Sequence, residues 1–390
     1  AHARARIEFA LLADNPRSIV LDVRAGDAVD RDRTLVEIPV VDRTVLVEHA
    51  SFASTDSDRH TIPIGVPLGA KSDRGRIGVQ VSPTVLGNLD GAFRYMKRYP
   101  YQCWEQRLSK GTMAAHFSSL RPYLDSDIEW DGAKDLPAQA LTDAARFQAP
   151  NGGMAYWKAE DAYVSPYLSA FTGLALSWLT DHGHRPPSQV LERLTGYLAR
   201  LLAAPANDPI WQGWHGFGAH PRSHNSVRAL AAAALLRQGK LSPADAERYA
   251  PQVKNMSLFA QAVLLEAIID AREAKSLSAP RIASTLSSNL LGVMNLTAGK
   301  VTLTPQPGSA AMHGSRLRSQ CAVLSTLSNP KATDLFGPPP SLASLAGRLA
   351  RTISSARGNR DYWESTQENL FCMQAMSAYS KRFEAVRPAM

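Results

Sequence analysis

A large, mainly α domain preceded by a small antiparallel β lobe is what the 390-residue sequence predicts, on three patterns. Apolar residues alternate with polar ones over residues 1–82. From Pro83 onward they recur with a period near 3.6. Gly- and Pro-rich punctuation then falls at intervals suited to helical hairpins.

In the leading segment Ile7, Phe9 and Leu11 alternate with Arg6, Glu8 and Ala10, and Ile19, Leu21 and Val23 alternate with Val20, Asp22 and Arg24. Val45 and Val47 flank Leu46, and Ile77, Val79 and Val81 alternate with polar or small residues. Turn chemistry separates the runs at Asp14-Asn15-Pro16, Ala25-Gly26-Asp27 and Lys71-Ser72-Asp73-Arg74-Gly75. Period two with one polar face predicts an antiparallel β-sandwich lobe over 1–82.

Two clear helical stripes follow: Leu258, Ala262, Leu265, Ile269 and Leu342, Leu345, Leu349, Ile353. Breaks fall at 182–187, 205–209, 238–240 and 337–340, so about eleven or twelve helices fit between 83 and 380. Residues 381–390 are left as a C-terminal tail. No fixed-period repeat is visible, which favours a closed array over a solenoid. The non-helical stretch at 297–310 reads as a short hairpin.

Composition excludes several classes. Hydrophobic content of 45% and charged content of 20% describe an ordinary globular protein. No run of eighteen apolar residues exists, and the Ala-rich stretch 229–236 is bracketed by Arg228 and Arg237, so no membrane span is expected. The net charge is +8, but the basic residues are interleaved with acids, as in Asp27-Ala28-Val29-Asp30-Arg31-Asp32-Arg33, and carry no stacking aromatics. That argues against nucleic acid. The chain opens on Ala1-His2 with no visible signal peptide, which suggests a processed product or an excised piece. No metal-ligand spacing accompanies His215, His220 and His224, and no metal is expected.

Tyr99-Pro100-Tyr101-Gln102-Cys103-Trp104-Glu105-Gln106 carries the chemistry. Side chains at i and i+3 share a helix face, so one turn brings the Cys103 thiol to the Gln106 carboxamide. Thiolate attack on that carbonyl, with loss of ammonia, leaves an internal thioester. The bland reading of a lone Cys in a helical pattern is a small buried hydrophobe. Cys321 and Cys372, in apolar helical runs, read as such buried thiols. A disulfide between them is the alternative; it would suit an oxidising compartment and leave Cys103 as the odd one.

Cys103-Trp104-Glu105-Gln106 resembles the Cys-X-Glu-Gln thioester motif of the alpha-2-macroglobulin and complement family, and the preceding Tyr-Pro-Tyr makes it look most like the bacterial members. Two further matches come in the right order: Asn151-Gly152-Gly153-Met154-Ala155-Tyr156-Trp157 resembles the family's Gly-rich aromatic turn, and Ser365-Thr366-Gln367-Glu368-Asn369 its late Ser-Thr-Gln segment. The latter is also a capping-box pattern. Together they cover roughly residues 62–380. Two positions depart from the pattern: Gln102 stands where Gly is common, and Trp104 where a smaller residue is common.

The resemblance implies an α/α toroid of about six helical hairpins over 83–380, the thioester domain, with 1–82 as part of a flanking CUB-like β domain whose other strands follow the toroid in the family. Since the sequence stops at Met390, that lobe is expected to be incomplete and to expose an unpaired edge. Function follows as covalent protease trapping. A protease cuts a bait segment, the molecule rearranges, and the exposed thioester acylates Lys amines of the attacker. No bait segment is recognisable in the chain. Partners implied are attacking proteases and the remaining macroglobulin domains of a parent protein. The expected setting is the periplasm or cell envelope, in bacterial defence, with any anchor outside this chain. The thioester reacts once, so the domain is an endopeptidase inhibitor and not a turnover enzyme, and it needs no cofactor.

Residue roles carry over by position. Tyr99, Tyr101 and Trp104 supply ring area to shield the bond from water, although core anchoring is the competing role. Glu105 either holds the turn or accepts a proton. His220 occupies the sequence interval in which complement-like members place a transfer histidine; the alternative is a solvated loop residue. Ser365, Thr366 and Gln367 are supporting residues. Two other functions remain open: a degenerate thioester domain that only binds partners, and a toroid glycosidase or lyase using Glu105, Asp161 or Glu364.

Overall fold

The computed structural model describes residues 6–12, 17–40, 59, 61–66, 68–71, 75–79, 81–211, 221–271, 281–297, 300–304, 313–358 and 360–384. The chain divides into two compact units, one of Ala1–Glu48 with Lys71–Gly75, the other of His49–Ala70 with Arg76–Met390.

Among the described residues, the first unit contains one antiparallel hairpin, β1 (Ser18–Gly26) on β2 (Arg31–Pro39), in register from Ser18 opposite Pro39 to Gly26 opposite Arg31. The turn falls at the predicted Ala25-Gly26-Asp27, where the Asp27 carboxylate accepts the backbone N–H groups of Val29 and Asp30. β2 is not anticipated by its sequence, because Arg31-Asp32-Arg33 looks like a solvated charge run; in the hairpin Arg33 reaches across to Asp22 at 2.8 Å. The expected β-sandwich does not form among the described residues. Ile7–Leu11, Ile77–Val79 and Val81 lie outside any strand, with Phe9 at 71% and Val79 at 78% exposure. Alternation creates an apolar face, but only a second sheet can cover it, and nothing described does so. The expected strand at Val45–Val47 lies outside the described residues.

The second unit is helical: α1 (Asp90–Arg98), α2 (Trp104–Leu120), α3 (Leu136–Asp143), α4 (Pro166–Asp181), α5 (Ser188–Ala203), α6 (Pro221–Arg237), α7 (Pro243–Ala246), α8 (Leu258–Ala271), α9 (Arg281–Gly292), α10 (Arg316–Leu327), α11 (Thr333–Phe336), α12 (Pro339–Ser355) and α13 (Thr366–Phe383). α13 runs into the region predicted as tail. The predicted interruption is a short antiparallel hairpin, β3 (Met294–Thr297) on β4 (Lys300–Leu303), and β4 buries Val301 and Leu303 beside α12 and α10.

Helix packing is cyclic. α2 packs on α4, α4 on α6, α6 on α8, α8 on α10, α10 on α13, and α13 returns to α2. These helices are buried on most sides; α6 offers Ala229 and Ala231 to Ala234, all fully buried, and such small side chains let neighbouring backbones approach closely. The remaining long helices bury one stripe each, α5 through Val190, Leu194, Tyr197, Leu198 and Leu201, and α12 through Leu342, Leu349 and Ile353 as the sequence predicts. Each fully buried Leu contributes about 1.5–3 kcal/mol. A latch joins the ends of the helical unit: Thr84 Oγ1 donates to Glu384 Oε2 at 2.6 Å, and the Val85 N–H also meets that carboxylate. Cys321 of α10 and Cys372 of α13 form a disulfide, 51 positions apart, so the reading of both as free thiols is corrected.

Candidate functional site

Pro100 ends the α1 run, and Cys103 restarts the helix as the N-cap of α2. Gln106 folds back over that cap. Its Oε1 accepts the Cys103 backbone N–H at 3.0 Å, while the Gln106 backbone N–H faces the Cys103 sulfur. Within this one helical turn each side chain meets the other residue's backbone N–H. Gln102 has no positive φ; its carbonyl accepts Arg107 Nε at 3.0 Å. The backbone thus makes no demand for glycine there.

Cys103 is a free, buried cysteine. Its position at a helix N-terminus favours a thiolate. Burial wins, and the thiol is pushed up to about 11, with the Glu105 charge adding to the rise and the Gln106 backbone N–H opposing it.

Glu105 is buried and fully engaged. Ser109 Oγ donates to Oε1 at 2.7 Å, Thr366 Oγ1 to Oε2 at 3.0 Å and Gln367 Nε2 to Oε1 at 2.7 Å. Gln367 Oε1 in turn accepts from Tyr167 Oη at 2.8 Å and Arg318 Nη1 at 3.2 Å, and the Arg318 guanidinium lies 3.8 Å from the Phe259 ring centre. Four helix starts supply these groups: the N-caps are Cys103 for α2, Ser165 for α4, Ser315 for α10 and Ser365 for α13. Their unpaired N–H groups favour negative charge at this end of the packed helices. At Ser365 the capping box is half as expected: its Oγ accepts the Glu368 N–H, but the Glu368 carboxylate takes the N–H of Glu364.

The three aromatic residues proposed as shields take different places. Tyr99 is half-buried, 3.5 Å from Gln106 Nε2, and packs edge-on against Tyr101 and tilted against Tyr95. Tyr101 is 64% exposed. Trp104 is fully buried, stacked on Phe147 with ring centres 5.2 Å apart, and donates Nε1–H to Thr172 Oγ1 at 2.8 Å. It takes the core-anchoring place that the sequence left open beside shielding. His220 lies outside the described residues; His224 is buried and stacked on Trp211.

The Gly-rich turn braces the motif. Tyr156 O accepts the Trp104 backbone N–H at 3.0 Å. Gly152 sits at φ +88°, and a Cβ there would stand 2.4 Å from the Arg193 carbonyl oxygen.

No known family profile matches the sequence, and no curated protein sequence matches it. Solved structures do match. Salmonella alpha-2-macroglobulin reacted with methylamine is 23% identical with TM-score 0.59, over 76% of this chain and 18% of that one. Native Escherichia coli alpha-2-macroglobulin is 20% identical with TM-score 0.56, over 76% and 17%. The same E. coli protein activated by porcine elastase is 22% identical with TM-score 0.52, over 72% and 23%. Over the matched portion, this chain shares the fold of these bacterial alpha-2-macroglobulins. It spans less than a quarter of the length of each.

Within this macroglobulin fold, sequence reasoning missed Tyr167, Arg318 and His313. The only local sign of Arg318 was the helix-capping Ser315 three residues earlier. His313 lies against the turn, its Nε2 2.8 Å from Tyr156 Oη. The carboxylates of the glycosidase alternative differ in setting: Glu105 is buried, Asp161 accepts the Asn151 N–H and lines a cavity with Tyr197 and Arg200, and Glu364 is exposed. A separate cavity of about 570 Å³ is lined by His116, Trp178, His182, Arg237 and Glu266, without Cys103. No group of metal-ligating residues and no helix long and apolar enough to cross a membrane occurs among the described residues.

Proposed function

We propose that residues 83–380 are the α/α-toroid thioester domain of a bacterial alpha-2-macroglobulin, a covalent protease trap in which the Cys103 sulfur is joined to the Gln106 acyl carbon. The observation that carries this reading is the Gln106 carboxamide folded onto the Cys103 N-cap with Oε1 3.0 Å from the Cys103 nitrogen. The cyclic packing of six helices supports the toroid. The buried Cys321–Cys372 disulfide supports an oxidising setting such as the periplasm or cell envelope.

Burial also suits the chemistry. A thiol held near 11 is a poor leaving group, so a thioester built on it persists. When rearrangement exposes the site, the sulfur returns toward its ordinary acidity and leaves readily. A Lys amine of the attacking protease then forms an amide with the Gln106 acyl carbon as the C–S bond breaks. The domain reacts once and is an inhibitor, with proteases and the other macroglobulin domains as its partners. It supplies the acyl donor; the protease-sensitive trigger belongs to another part of such a molecule.

Intact mass tests this directly. The closed ring is lighter than the sequence by one ammonia, about 17 Da. Methylamine should add at Gln106 and release one titratable thiol, and Cys103→Ala should abolish both effects. A full-length mass in gently prepared protein, with no amine uptake, would leave only a partner-binding domain.

A further inference from the structure

The nitrogen that ring closure must expel has one neighbour. Gln106 Oε1 lies 3.0 Å from the Cys103 backbone nitrogen, and Gln106 Nε2 lies 3.5 Å from Tyr99 Oη. Among the described residues no other group hydrogen-bonds Nε2. Tyr99 stands there because α1 ends on it. Its N–H reaches back to Met96 O at 3.4 Å, and its φ of −62° and ψ of 119° are those of extended chain, as the following Pro100 requires. The ring is fixed by Tyr95, tilted with centres 5.3 Å apart, and by Tyr101, edge-on at 5.7 Å.

Its surroundings keep the Tyr99 hydroxyl protonated. Burial raises the phenol above its ordinary value, the Glu105, Cys103 and Tyr101 charges add to the rise, and the hydrogen bond with Gln106 opposes it. At neutral pH Tyr99 is therefore an uncharged acid. Tyr95 is the other side chain with which this hydroxyl shares a hydrogen bond, and the Tyr95 hydroxyl itself donates to the Glu364 carbonyl at 3.2 Å. Glu105 is not a competing donor, since its oxygens already accept from Ser109, Thr366 and Gln367. In the resting carboxamide Nε2 can only donate, and it does so to Tyr99 Oη. Once Nε2 becomes tetrahedral it gains a lone pair, and the direction of that hydrogen bond can reverse.

We propose that Tyr99 is the proton donor for thioester formation, acting on the departing Gln106 nitrogen, an inference that rests on the thioester reading above. The Cys103 thiol gives its proton to water, and Sγ forms a bond to Gln106 Cδ. The negative charge that gathers on Oε1 meets the Cys103 backbone N–H at the start of α2. The Tyr99 hydroxyl turns toward Nε2 and its proton passes to the nitrogen. The C–N bond breaks, ammonia leaves, the carbonyl reforms, and the phenolate takes a proton back from water. The sum is a thiol and a carboxamide giving a thioester and ammonia. Without that proton the nitrogen would have to depart as an amide anion; sulfur is by far the better leaving group, so the intermediate would collapse back to glutamine. This role belongs to the hydroxyl, whereas covering the finished bond belongs to the ring.

The test treats the freshly prepared 390-residue chain with methylamine, digests it, and weighs the peptide that carries residue 106. Three states separate by mass: glutamine where the ring never closed, methylamide where it closed and the amine opened it, and glutamate where it closed and met water. Cys103→Ala sets the background of ordinary deamidation. The parent should give the methylamide. Tyr99→Phe keeps its ring against Tyr95 and Tyr101, so its urea midpoint should match that of the parent. It should nonetheless retain glutamine, with closure slowed about a hundredfold or more. Tyr101→Phe, which takes the hydroxyl from the adjacent ring, should close as the parent does; retained glutamine there too would overturn the assignment to Tyr99. Methylamide or glutamate in Tyr99→Phe at parental yield would also overturn it, because a ring that only covers the bond alters how long it lasts and not whether it forms. Glutamine in the parent itself would overturn the thioester reading, and the proton donor with it.

Discussion

The Thr366 hydroxyl donates to Glu105 Oε2 at 3.0 Å across 261 positions of sequence. It joins the first turns of α13 and α2, where the cycle of packed helices closes. Gln367 extends the link to Tyr167 of α4 and Arg318 of α10, so a single hydrogen-bonded network ties together four helix starts around Cys103. In a buried site such a network fixes geometry as well as charge.

Gln367→Ala should be strongly destabilising. It removes a donor from the Glu105 carboxylate and the acceptor used by Tyr167 and Arg318, leaving charged groups short of partners at a cost of about 2–3 kcal/mol. Urea unfolding should show a lower midpoint at unchanged slope. A midpoint equal to that of the parent would mean that the network does not hold the helix starts together.

Trp104 and Tyr101 should separate cleanly. Trp104→Ala empties a fully buried site and strands the Thr172 partner, so about 3–5 kcal/mol should be lost. Tyr101→Ala, at an exposed ring, should stay within about 0.5 kcal/mol of the parent. Thermal unfolding of both variants checks this; equal losses would contradict the placement of Trp104 in the core.

How much of this the sequence reveals depends on distance along the chain. The Cys103–Gln106 pairing is one helical turn and is legible from spacing alone. So is the capping Ser365, and so are the stripes of α8 and α12, because burial imposes their period. The partners of Glu105 lie 261 and 262 positions away, and no local pattern announces Thr366 and Gln367 as its donors. Their motif was visible; their contact was not. Among the described residues of the leading segment the alternation misleads in the opposite sense: at Ile7–Leu11 it is real, but strand formation needs a pairing partner, whereas the charged β2 gained its partner from β1.

Gln102→Gly should change little. The residue has ordinary negative φ, so glycine relieves nothing and only adds freedom to the unfolded chain. Thioester yield by intact mass should match the parent, with stability lower by about 0.4–1 kcal/mol. A marked gain in yield would show that Gln102 hinders ring closure.

Replacing both Cys321 and Cys372 by Ala should cost about 2–4 kcal/mol, since the disulfide joins α10 and α13 across 51 positions. Cys103 chemistry should survive. After methylamine treatment, the unreduced parent should titrate one thiol in denaturant, and the reduced parent all three of its cysteines. More than one thiol before reduction would remove the disulfide.

Glu266 gives the chain a pH dependence unrelated to Cys103. Burial pushes its carboxyl up to about 7, helped by Asp270 and opposed by Arg237 and by the Ser325 hydroxyl, which donates to Oε1 at 3.0 Å. A raised folded-state value means that the folded chain holds this proton more tightly than the unfolded chain. The corresponding stability is fully present below the ordinary value of 4.5 and is lost as pH rises through about 7. Glu266→Gln cannot titrate, so its urea midpoint relative to the parent should increase between roughly pH 5 and roughly pH 8, which spans the upper part of that loss. His116 titrates in the opposite sense: burial and His182 hold it down to about 3, so its contribution is lost as pH falls below the ordinary 6.5. Because His116 is present in parent and variant alike, the difference between their midpoints isolates Glu266. A difference that stays flat across the window would place the Glu266 carboxyl in solvent instead of in the cavity wall.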